Sequence, residues 1–114
     1  MTKTVMIGGK EVKMQASAAT PVFYRRKFGK DMLVQIAPMM AGKEMDDYSV
    51  FENMAYIMAK RADDSIPDDV VEWLEQFDSA MAIYDASAEI MAVWLASQKT
   101  TSTSKKKNGA QSVK

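Results

Sequence analysis

The sequence contains no cysteine and no histidine. Without cysteine there are no disulfides, thiolate zinc sites, iron–sulfur clusters or thiol nucleophiles. Without histidine the commonest metal ligand and the commonest general base are missing. Carboxylates, amines, guanidiniums, phenols and hydroxyls remain, and they support few hydrolytic or redox mechanisms. The chain therefore reads as a non-enzyme with no cofactor and no metal. It also has no apolar run approaching the roughly 20 residues that span a bilayer. Its opening, Met1-Thr2-Lys3-Thr4, lacks the apolar core and small-residue cleavage site of a signal peptide. A cytoplasmic location without a membrane partner is expected.

What is present is enough for one domain. The chain has 114 residues, 47% of them apolar, which allows a packed body plus a tail. Acidic and basic residues balance at 15 each, but they are not mixed. Residues 1–30 carry seven basic groups and the single acid Glu11. Residues 31–98 carry fourteen acids and only Lys43, Lys60 and Arg61. Residues 99–114 carry five lysines and no acid. The regional charges are thus +6, −11 and +5. Such poles steer encounters with partners.

Gly8-Gly9 between β-prone runs predicts a hairpin with a two-residue primed turn. That loop pairs Ile7 with Lys10, Val5 with Val12 and Lys3 with Met14. One face then holds Val5, Ile7, Val12 and Met14, and the other is mostly polar. Helix signals follow. Thr20-Pro21 predicts a cap and first turn, and Gly29 a stop after Phe28. Asp31 is placed to cap a segment from Met32 to about Ala41, kinked or shortened by Pro38. Ser49-Val50-Phe51-Glu52 has the form of a capping box and opens a helix to about Ala62, buried along Val50, Phe51, Met54, Ile57 and Met58. Ser65-Ile66-Pro67-Asp68 starts another, with the stripe Val70, Trp73, Leu74 and Phe77. A last helix is expected over Ser79–Ser97. Its apolar residues cover roughly 200°, against about 100° for an ordinary surface helix, so it is either central or packed on another molecule. Phe23, Phe28, Trp73, Phe77 and Trp94 are assigned to the core. The polar, basic segment 99–114 has the composition of a disordered tail or linker. The expected fold is α+β, mainly α: a hairpin docked on about five helices within residues 1–98.

Three features invite chemistry. Arg25-Arg26-Lys27 with Lys30 is a basic cluster that suits phosphate contact, or a solvated face favouring a helix C-terminus. Asp46-Asp47, Asp63-Asp64 and Asp68-Asp69 are carboxylate pairs. A calcium loop needs alternating oxygens, a central glycine and a distal glutamate, and the 63–69 stretch has Pro67 and no glycine. Acids near helix starts explain the pairs better. Eleven methionines fit irregular core gaps or an adaptable binding groove. Gly8-Gly9 is a turn and not a phosphate loop.

Three stretches together resemble one family. They are the hairpin leading into Ala19-Thr20-Pro21-Val22-Phe23-Tyr24-Arg25-Arg26-Lys27-Phe28-Gly29-Lys30-Asp31, the segment Glu72-Trp73-Leu74-Glu75-Gln76-Phe77, and Trp94 ahead of Lys99-Thr100-Thr101-Ser102. Their order and the lysine-rich end are similar to the tail assembly chaperones of long-tailed (siphovirus) phages and prophages of Gram-positive bacteria. The alanine-rich Ala80–Ala88 stretch and the many methionines depart from the pattern. The resemblance implies a protein that binds the aggregation-prone tape measure protein in the host bacterial cytoplasm, keeps it soluble until the tail tube forms, and is absent from the mature virion. It also implies a longer frameshifted form, whose extension would engage the major tail protein. Lys105-Lys106-Lys107-Asn108 admits a slippery adenine-rich message, and Thr100–Lys107 would then be the linker.

Under this view the contact residues for the client are Met54, Met58, Met81, Tyr84, Met91 and Leu95. Tyr24, Arg25 and Arg26 are candidates for contacts between copies in a homo-oligomer. No nucleic-acid partner is expected. The alternative function is a small nucleic-acid-binding regulator using Arg25-Arg26-Lys27 and the lysine tail. An enzyme built on carboxylate pairs would need a concave pocket with shifted carboxylates.

Overall fold

Gly8 and Gly9 take φ angles of 56° and 81°, a left-handed pair that side chains other than glycine adopt at a cost. The chain therefore reverses in two residues, joining β1 (Thr2–Ile7) to β2 (Lys10–Gln15). The register is the expected one, with Ile7 opposite Lys10, Val5 opposite Val12 and Lys3 opposite Met14. Val5, Ile7, Val12 and Met14 are all buried. Met6 on the other face is 55% exposed. A lone hairpin is marginal in water, and this one gains its stability from burying that apolar face, at about 1.5–3 kcal/mol for each large side chain.

Six helices follow among the described residues, which are 2–45 and 47–103 in this computed structural model. They are α1 (Thr20–Phe28), α2 (Met32–Met40), α3 (Ser49–Ala62), α4 (Val70–Leu74), α5 (Ala82–Asp85) and α6 (Ser87–Thr103). No helix among the described residues is long and apolar enough to cross a membrane. Most of the expected tail, including Lys105–Asn108 and its proposed slippery site, lies outside the described residues.

α3 is the hub. It contacts β2 and every other helix, and Met54, Ala55, Tyr56, Ile57, Met58 and Ala59 are buried in succession. A helix buried all round is a central one. Edge-to-face aromatic contacts tie its neighbours to it. Tyr24 meets Phe28 at 5.0 Å between ring centroids, Phe28 meets Tyr56 at 6.4 Å, Tyr56 meets Trp73 at 5.8 Å and Trp73 meets Phe77 at 5.3 Å. The run links α1, α3 and α4 and adds orientation to burial.

Several helix starts differ from expectation. Thr20 is not the cap of α1. It is the first helical residue, it is buried, and its Oγ1 accepts a bond from the Ser17 N–H at 2.9 Å. The capping box at Ser49 does not form. Asp47 instead accepts from the Ser49 N–H at 2.9 Å and from its hydroxyl at 2.6 Å. Glu52, freed from capping, accepts from the Tyr84 hydroxyl at 3.0 Å. Asp31 does cap α2, taking the Leu33 and Val34 N–H groups at 2.9 and 3.4 Å. α4 starts later than Ser65, with Asp69 accepting from the Val71 N–H at 3.2 Å. Phe77 falls in the turn after α4 and still packs against Trp73.

The expected helix over Ser79–Ser97 is broken at Ala86 into α5 and α6. Its wide apolar arc has a local explanation. α6 touches β1, α3 and α5, and Ile90, Met91, Val93 and Trp94 are buried among them. Neighbours on several sides bury what one neighbour would leave open.

Candidate interaction surfaces

The six residues expected to meet a client do not share a surface. Met54 and Met58 are fully buried on α3, and Met91 is 5% exposed on α6. They are core, because α3 is enclosed by its neighbours and α6 by β1, α3 and α5. Tyr84 and Leu95 are half-buried. Of the six, Met81 is the exposed one, at 54%. The candidates for contacts between copies also separate. Arg25 and Arg26 are exposed, but Tyr24 is sealed and its hydroxyl donates to the Gln35 side chain, joining α1 to α2. Its side chain thus lies on the inner face of α1, while the exposed Arg25 and Arg26 lie on the outer one.

Exposed apolar surface is concentrated instead on α2. The nine residues Met32–Met40 include no charged side chain. Met32 and Ile36, one turn apart, are buried and anchor the helix to the body. Leu33 is 47% exposed, Val34 68% and Met40 54%. Leu33, Ala37 and Met40 follow the i, i+4, i+7 spacing of a single helical stripe. With Ile36, Ala41, Trp94 and Gln98 they line an open groove of about 370 Å³ between α2 and α6. The groove's apolar walls and lack of charge suit the apolar face of another helix. The sequence signal for it was the missing charge. A two-faced surface helix has polar residues on its outer side, whereas the one polar side chain here, Gln35, turns to the Tyr24 hydroxyl.

Two of the carboxylates are engaged in local turns. Asp47 and Asp63 are held below the usual carboxylate range, in each case chiefly by bonds from the serine two positions on. Asp63 accepts from the Ser65 N–H at 3.0 Å and hydroxyl at 2.7 Å. It lines a hollow between β2, α3 and α4 that also contains Glu11 and Lys13, and a carboxyl held ionised there is a poor proton donor. Burial raises Tyr24, Tyr56 and Tyr84, and the bond to Glu52 raises Tyr84 further. Among the described residues no three acidic side chains converge as metal ligands would.

No family model, curated protein or solved structure matches the chain.

Proposed function

We propose that the chain is a tail assembly chaperone that holds the tape measure protein of a long-tailed phage or prophage in soluble form, with α2 as the contact face. The observation that carries this reading is the uncharged helix α2 with Leu33, Val34 and Met40 exposed on it. An apolar groove of this kind covers the apolar stripe of a client helix reversibly. Two of its exposed or half-buried lining groups are unbranched or small, Met40 and Ala37, and methionine adapts to varied partners. The motif order from the hairpin through Glu72–Phe77 to Trp94 supports the same assignment. A long helical client bound by many copies needs only weak contact per copy, since tethered sites add by avidity.

Co-expression tests it. With the intact chain, a tape measure protein from the same genome stays in the soluble fraction. Leu33→Asp combined with Met40→Asp sends the client to the pellet, while the variant itself keeps its stability, because both side chains point outward. A client that aggregates beside the intact chain, or stays soluble beside the double variant, overturns the assignment to α2.

A further inference from the structure

Between residues 31 and 98 the sequence has three basic residues, and the fold delivers two of them, Lys60 and Arg61, to the basic end of α1. Arg26 and Lys27 of α1 and Lys60 and Arg61 of α3 edge a hollow of about 280 Å³. Phe23, Tyr56 and Ile57 supply its apolar lining. The Arg61 guanidinium lies over the Phe23 ring, 4.0 Å from its centroid. A guanidinium held against a ring face keeps its in-plane N–H donors available to an acceptor.

The two lysines are already engaged. Lys27 donates to the Asp68 carbonyl. Lys60 donates to the Ile66 carbonyl and to that of Asp64 at 3.3 Å, and pairs with the Asp68 carboxylate at 3.1 Å. These bonds tie the 64–68 loop against the two helices. The two arginines differ: Arg26 and Arg61 meet no carboxylate among the described residues. Four cations and one carboxylate thus surround an open hollow large enough to admit an aliphatic side chain.

We infer that this cradle binds an acidic peptide segment, seating one apolar side chain in the hollow and pairing the flanking carboxylates with Arg26 and Arg61. The planar guanidinium matches a carboxylate with two parallel bonds. The surroundings disfavour a nucleic acid. Asp68 and Asp69 are exposed beside the cradle, and Asp63 and Asp64 follow at the end of α3. These exposed carboxylates confine the positive surface to the cradle itself, which suits a short segment with two local charges better than an extended phosphate chain. The site is separate from the α2 groove and goes beyond the holding of an apolar client.

Fluorescence anisotropy with the full chain tests the inference. The probe is a labelled peptide in which glutamates flank a single leucine. Saturable binding is expected, weakened roughly tenfold by Arg26→Glu and by Arg61→Glu, and weakened also when serine replaces the leucine of the probe. Lys43→Glu makes the same charge change outside the cradle and leaves binding intact. Arg26→Gln and Arg61→Gln repeat the test with neutral side chains, and circular dichroism confirms that each variant is folded. Absence of saturable binding, an equal loss with Lys43→Glu, or tighter binding of a labelled single-stranded oligonucleotide than of the peptide overturns the inference.

Discussion

Met54 and Met81 carry the same side chain and sit in opposite environments: Met54 is fully buried on α3, and Met81 is 54% exposed just before α5. The difference comes from neighbours that are distant in sequence. Met54 lies on a helix that contacts β2 and every other helix, so truncating it leaves a cavity that the surroundings cannot fill. Met54→Ala is expected to cost about 2–5 kcal/mol. Met81→Ala is expected to stay within about 0.5 kcal/mol. Urea unfolding of the two variants measures both. A Met54→Ala variant as stable as the parent would mean that the middle of α3 is not the packed hub described above. Composition could count the methionines, but it could not sort them into filler and contact, because that sorting happens only once α3 is enclosed.

At the scale of the element, signals carried by backbone geometry were legible and those carried by competition between side chains were not. Gly8-Gly9 determined the hairpin register, because the two-residue turn has few alternatives, and Gly29 ended α1 with a φ of 70°. Ser49 looked like a cap because its spacing to Glu52 was right. Asp47 won because it stands two residues earlier and offers a carboxylate to both the N–H and the hydroxyl of Ser49. The same Asp-x-Ser arrangement recurs after α3 at Asp63 and Ser65, so the hub helix is bracketed by matching turns. The break at Ala86 had no glycine or proline to announce it. The α2 face was readable as an absence of charge, and its role as surface emerged only when Met32 and Ile36 took the inner side. The Asp47 turn has a pH signature. Its carboxyl lies below its ordinary value of 3.8 in the folded chain. Its contribution is therefore complete above that value and is lost as pH falls toward and below the folded one. The stability gap between the parent and Asp47→Ala should be largest near neutral pH and should shrink well below pH 3.8. A gap that stays constant or widens in acid would mean that the ionised carboxylate does not stabilise the start of α3.

At the scale of the whole molecule, the acidic stretch of the sequence is not neutralised by ion pairs among the described residues. Among the described residues there are two ion pairs, Lys30 with Asp47 at 3.6 Å and Lys60 with Asp68 at 3.1 Å. The first pair is exposed on both sides and contributes little, and the second leaves its Asp68 carboxylate open to solvent, which weakens it. Between residues 63 and 78 stand seven acids and no basic residue, all seven exposed. Their mutual repulsion acts on the folded chain and is screened by salt, since the Debye length falls from about 30 Å at 0.01 M to about 8 Å at 0.15 M. The melting temperature should therefore rise by a few degrees over that range, the equivalent of less than about 1 kcal/mol for a domain of this size. Glu75 is the sharpest place to test the cause. It follows the last residue of α4, where the helix end favours a positive group, and it belongs to the acidic run. Glu75→Lys should raise the melting temperature at low salt, and the gain should diminish at high salt as the repulsion it relieves is screened. If the parent instead melts lower as salt is added, or if the gain from Glu75→Lys is the same at both ionic strengths, then attraction between the poles outweighs repulsion within them, and the body is held together by its charge asymmetry and not in spite of it.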